Sequence, residues 1–125
     1  MKRAILLAIA SLGLAGCATF QAYDGPARPA SETTIIRGDA KLRAEMPLAL
    51  VIRSVDGRAV DLRYSSVAVT PGHHDVIVDC QAGGAMGATS RHHVEFDAEA
   101  GESYRLQADM RPGNASCERV YLERT

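Results

Sequence analysis

Histidine is the residue type whose placement most invites chemistry in this chain, because it occurs as two adjacent pairs, His73-His74 and His92-His93. Four imidazoles would hold zinc or copper if they converged. Convergence depends on register. If the strands flanking the glycine-rich stretch between the pairs form a hairpin centred near Ala85, facing residue numbers sum to about 170, which sets His92 opposite Val78 and His74 opposite Phe96. His74 and His92 then lie four positions apart along the hairpin, about 13 Å at about 3.3 Å per residue. Adjacent side chains on a strand also point to opposite faces, so each pair offers at most one ligand to a given side. The expectation is therefore no metal centre, with His73 in a turn, His93 on a wetted face, and His74 and His92 at the margin of a core. A metal-binding protein using one or two histidines is the alternative.

Other reactive combinations are weaker. Gly83-Gly84-Ala85-Met86-Gly87-Ala88-Thr89 has the glycines of a phosphate cradle, but it lacks a Gly-Lys-Ser/Thr ending and should precede a strand instead of a helix. It reads as a hairpin loop, and Gly83, Gly84, Met86 and Gly87 are the residues expected to meet a partner there, since loops carry function. None of Ser54, Ser65, Ser66, Ser90, Ser103 and Ser116 stands in a nucleophile elbow. Asp97 with Glu99, or Asp75 with Asp79, could be drawn as the paired carboxylates of a glycosidase, but acids on the outer face of a strand are ordinarily solvated. These residues point to a protein without a catalytic centre or cofactor.

The N-terminus carries the most specific signal. Met1-Lys2-Arg3 precedes an apolar run from Ala4 to Leu14, and Leu14-Ala15-Gly16-Cys17 follows. A positive start, a short apolar core and small residues at a cleavage point are the parts of a secretory signal, and the run is shorter than the roughly 20 residues a membrane-crossing helix needs. The tetrad ending at Cys17 resembles the lipobox of bacterial lipoproteins. That resemblance implies that Cys17 carries a diacylglycerol and an N-acyl chain, enough lipid for lasting attachment. The other reading is a soluble export signal with an incidental cysteine. Ala18, where these lipoproteins would carry aspartate for inner-membrane retention, implies the outer membrane.

Cleavage before Cys17 removes 16 residues and two basic side chains, leaving 109 residues and a formal net charge of −3. That length suits one domain, and that charge makes no case for nucleic acid or for anionic lipid, both of which favour a basic patch. Cys80 and Cys117 are then the remaining thiols, and an oxidising compartment favours their pairing over two separate reduced cysteines.

These residues must be positioned by strands. Ala18 to Thr33, with Pro26 and Pro29, reads as an extended linker that Tyr23 and Arg28 could dock onto the domain. Leu48, Leu50 and Ile52 alternate, and Asp56-Gly57 is the signal for a type I′ hairpin turn leading to a return strand with Val60, Leu62 and Tyr64 on one face. Val67 to Thr70 stops at Pro71-Gly72, and Val76, Val78 and Cys80 share a face. His92, Val94 and Phe96 point inward while His93, Glu95 and Asp97 point outward, and Tyr104, Leu106 and Ala108 resume the alternation. The last strand, from about Cys117 to Glu123, has apolar residues at both parities, which predicts a bulge or a strand covered on both sides. Asp39 to Met46 suits a short helix or a strand edge. Six or seven short strands separated by turn signals predict an all-β antiparallel sandwich over residues 34–125.

The pieces Val55-Asp56-Gly57-Arg58, then Val67 through Pro71-Gly72-His73-His74 to Val78, then Ala100-Gly101-Glu102-Ser103-Tyr104-Arg105-Leu106, resemble PEGA-type domains in their order and spacing. Tyr23-Asp24-Gly25-Pro26-Ala27-Arg28-Pro29 resembles the mature start of small proteobacterial lipoproteins of the same plan. The resemblance implies a transthyretin-like β-sandwich serving as a non-catalytic envelope module, with an envelope protein or a glycan as partner. Cys80, Cys117 and the loop from Gly83 to Gly87 depart from the family pattern.

Overall fold

Alternation of apolar and polar residues dominates the chain after Thr33, and the computed structural model, which describes residues 19–43, 46–83, 88–113 and 116–125, folds it into two packed sheets. Ten strands are present among these residues: β1 Thr19–Gln21, β2 Thr34–Arg37, β3 Asp39–Arg43, β4 Met46–Val55, β5 Arg58–Ala59, β6 Ser66–Val69, β7 Gly72–Ala82, β8 Thr89–Ala98, β9 Ser103–Met110 and β10 Cys117–Arg124. The first sheet has the order β1-β6-β2-β9-β10. The second has the order β3-β4-β7-β8, with the short β5 on β4.

The all-β sandwich expected from the sequence is the fold observed, with more strands than expected because three short segments pair, and it is not wholly antiparallel, since β1 runs parallel to β6 and β2 parallel to β9. The stretch expected as a linker supplies β1, which adds to β6 in parallel with Thr19 opposite Ser66, and the Ala22 N–H continues the pairing to the Ala68 carbonyl at 2.9 Å. Tyr23 and Arg28 do dock: the Tyr23 hydroxyl accepts from the Arg28 N–H at 3.0 Å, and the two share a groove with Ile35 and Ala68. Asp39–Arg43 is an edge strand and not a helix, held antiparallel to β4.

The return strand expected through Tyr64 is largely absent. After Arg58–Ala59 the Val60 N–H makes one more bond, to the Arg53 carbonyl, and a turn follows at Leu62 and Arg63. Alternation alone misread Leu62, which is 63% exposed, while Val60 is buried. The Asp56-Gly57 turn itself is as expected, with positive φ at both residues (50° and 84°), the requirement of a type I′ turn.

Inward side chains of both sheets make one core. Ile36, Val67, Val69, Val76, Val78 and Leu106 are fully buried and Leu50 nearly so, each contributing about 1.5–3 kcal/mol by leaving water. Cys80 on β7 and Cys117 on β10 are joined by a disulfide that crosses between the sheets, with Cα atoms 6.4 Å apart. The bulge expected in the last strand lies between Cys117 and Arg119, and it lets both Cys117 and Val120 reach the core.

Candidate functional site

The residues with chemical potential collect on the hairpin of β7 and β8. Its register places His74 opposite Phe96 and His92 opposite Val78, the pairing that a turn centred near Ala85 predicts. Even-numbered positions therefore face the core and odd-numbered positions form the outer face. The rows on that outer face are His73 with Asp97, Asp75 with Glu95, Ile77 with His93 and Asp79 with Arg91.

Two of these rows set opposite charges face to face, His73 with Asp97 and Asp79 with Arg91, while Asp75 and Glu95 are like-charged neighbours that His93 and His73 reach from the adjoining rows. His73 lies within β7, just past its first residue, and not in the turn expected for it. Its Nδ1 is 3.1 Å from Asp97 Oδ1 and its Nε2 3.0 Å from Glu95 Oε1. Ionised carboxylates only accept, so the two bonds are made together when the ring is protonated. Asp97 first, then Glu95, raise the His73 pKa above 6.5. Asp79, 6% exposed, accepts from Arg91 Nε at 2.9 Å and Nη2 at 3.3 Å, and Arg53 Nε lies 3.3 Å away on β4. The Arg91 fork chiefly, helped by Arg53, holds the Asp79 carboxyl below 3.8 against the opposing effect of burial.

A second cluster forms where the Asp56-Gly57 turn meets β7. The Asp56 N–H donates to the Asp75 carbonyl at 2.8 Å, and Asp56 Oδ1 accepts from the Asp75 N–H at 2.8 Å. Asp56 Oδ2 meets Nδ1 of His74, whose Nε2 points at the Thr70 carbonyl at 2.6 Å. Burial disfavours the ionised Asp56 side chain, but the Asp75 N–H and the His74 ring outweigh it, and the carboxyl sits below 3.8. His74 is only 7% exposed and leans on Phe96, which packs edge-on against Tyr104 at 5.3 Å. Sequence reasoning recognised Asp56 as a turn residue and missed its carboxylate as the clamp on His74. The signal was the αL requirement, which hides a second role of the same side chain.

The four histidines do not converge. His73 and His93 lie on the outer face, His74 and His92 on the inner one, and among the described residues no group of three or more His, Cys, Asp or Glu is placed to hold a metal ion. His92 Nε2 is 2.8 Å from Ser90 Oγ, a serine–imidazole contact the sequence did not suggest. Asp97 and Glu99 part ways, Asp97 to His73 and Glu99 to Arg124 at 2.8 Å. The Asp75 carboxylate faces His93 Nδ1 at 3.6 Å, and that of Asp79 is held by the arginines.

Of the residues expected in the loop, Gly83 is buried, with φ of 79° and its N–H bonded to the Pro47 carbonyl at 2.9 Å, so it anchors the hairpin end. Gly84, Met86 and Gly87 lie outside the described residues, as does Cys17. Among the described residues no helix is long and apolar enough to cross a membrane. Compared with known proteins, the chain matches no family model, no curated protein and no solved structure. The outer face of the β7 and β8 hairpin carries His73, Asp75, Asp79, Arg91, His93, Glu95 and Asp97.

Proposed function

We propose that this protein is a lipid-anchored module of the bacterial cell envelope, without catalytic activity, that presents the charged outer face of β7 and β8 to an envelope protein or a glycan. The anchor is Cys17, acylated after removal of residues 1–16, and Ala18 directs the mature protein to the outer membrane, with the domain on its periplasmic side. The observation that carries the reading is the Cys80–Cys117 bridge. It is buried and joins the two sheets, and such bonds persist in oxidising compartments outside the cytosol. An export segment ending at Cys17 sends the chain to that kind of compartment. The resemblance to PEGA-type envelope domains accords with the same role.

The interaction role draws on how the polar groups are used. His73 and Asp79 on this face are each tied to a neighbour in the sheet, which favours a preorganised surface over groups poised for proton transfer. Mass spectrometry of the protein extracted from its envelope should find the Cys17 peptide acylated. Photo-crosslinkers at Asp97 and His93 in intact cells should capture one recurring envelope component. A Cys17→Ser protein with unchanged processing and membrane fractionation would overturn the anchor, and crosslinks no richer at these positions than at Glu123 on β10 would overturn the binding face.

A further inference from the structure

We propose that the loop Leu62-Arg63-Tyr64 is a second bilayer contact, which lays the anchored domain down on its β1 flank; the inference rests on the reading of Cys17 as the lipidated residue. Two features of the fold meet at this place. One is where the folded body starts. Thr19 is already paired with Ser66, and their hydroxyls are 2.9 Å apart. Two residues of chain span at most about 7 Å, so an acylated Cys17 leaves no spacer. The flank carrying β1 has to ride close to the lipid.

The other is what that flank displays. Leu62 is the exposed large hydrophobic residue among those described. It stands beside Arg63, whose side chain is 75% exposed and lies 3.4 Å from the Asp61 carboxylate, and Tyr64, which the Arg63 guanidinium overlies at 5.4 Å. The Tyr64 ring packs edge-on against Phe20 of β1 at 5.4 Å, which ties this loop to the strand that follows the anchor. A shallow groove of about 220 Å³ next to Leu62, with Ala49, Val51 and Tyr64 in its wall, extends the apolar area. Leucine to enter the acyl boundary, tyrosine at headgroup level and arginine reaching to phosphate is the side-chain set that membrane interfaces favour. One leucine binds a free protein to membranes too weakly to matter. On a domain already tethered within about 7 Å the contact is intramolecular, and a weak preference suffices to set orientation.

The chain contains no tryptophan, so a single one reports its own surroundings. Glu123 supplies the comparison. Thr19, Ser66, Arg37, Arg105 and Glu123 form one row across the sheet, which puts Glu123 four strand spacings, about 19 Å, from the anchored edge. Full-length lipidated Leu62→Trp and Glu123→Trp proteins are reconstituted in phosphatidylethanolamine/phosphatidylglycerol vesicles with and without brominated acyl chains. Both positions are exposed, so neither substitution disturbs the core. At a depth of about 5–10 Å, the indole of Leu62→Trp should shift its emission to the blue and lose about half of it to brominated lipid, while the emission of Glu123→Trp stays unchanged. Equal emission from the two proteins, when both float with the vesicles and carry acylated Cys17, would overturn the second contact alone. An indole in Leu62→Trp that is shielded from acrylamide yet untouched by brominated lipid would assign the loop to a second copy or another protein, and also overturn it. Cys17 without lipid would overturn the anchor reading and this inference together.

Discussion

Replacing Asp56 tests how the first hairpin turn is locked onto β7. In Asp56→Ala the Asp75 N–H loses its acceptor, a loss of about 1 kcal/mol. The almost fully buried His74 ring loses the carboxylate at Nδ1. A bond to a charged group contributes about 1.5–3 kcal/mol when dry, but the Asp56 side chain is 49% exposed, so water takes over part of it and about 1 kcal/mol is the better figure. Alanine also tolerates the φ of 50° less well than aspartate, adding up to about 1 kcal/mol. The sum is a destabilisation of about 3 kcal/mol. Asp56→Asn keeps an acceptor for Asp75 and a residue at home in the αL region, and should cost about 1 kcal/mol.

In urea, with a slope of about 2 kcal/mol/M, the midpoint should fall by about 1.5 M for alanine and about 0.5 M for asparagine. A pH series adds a sign. Asp56 has its folded pKa below 3.8, so its contribution is present above that value and disappears as pH falls through the folded pKa. The gap between parent and Asp56→Asn should close on acidification. Equal midpoints for the alanine and asparagine proteins, or a gap that widens in acid, would refute the clamp.

Other outcomes follow from the same structure. Replacing both Cys80 and Cys117 by alanine releases a loop spanning a sequence separation of 37 and should cost about 4 kcal/mol on the chain-entropy account, read as a urea midpoint lowered by about 2 M. Gly38→Ala should destabilise by about 1–3 kcal/mol, because a Cβ there would stand 2.6 Å from the Leu50 carbonyl oxygen; thermal unfolding checks it. Asp79→Asn should weaken the protein at neutral pH and lose that effect below pH 3.8, since the lowered pKa of Asp79 makes its stabilisation vanish in acid. By NMR titration His73 should keep its proton above pH 6.5, and the double change Glu95→Gln and Asp97→Asn should lower that pKa; the stability linked to His73 is present below 6.5 and is lost as pH rises through the folded pKa.

Much of the second sheet could be read from the chain because its contacts are local. A hairpin whose strands alternate over ten residues has one register that buries Val76, Val78 and Val94 together, and a slip by one residue would turn all of them to water. Asp56-Gly57 likewise states its turn type in two residues. The clamp of Asp56 on His74 was not readable, since it joins residues 18 apart through side chains that have other plausible positions. Leu62 fits the period of a strand, so alternation alone places it on one. It sits outside because Val60 already fills the core position at that edge, and the chain then turns away to begin β6.

Composition and period by themselves determined an all-β sandwich, a pair of cysteines able to bridge it, and histidines divided between two faces, because each of these depends on residue type and on the alternation of side chains along a strand. Only the tertiary structure decided that Thr19–Gln21 joins the first sheet in parallel with β6, that β2 lies parallel to β9, and that the outer charges pair as they do. Such contacts link segments tens of residues apart, and a three-residue strand has too little pattern to name its neighbour. Its place is set by the edge that the rest of the fold leaves open.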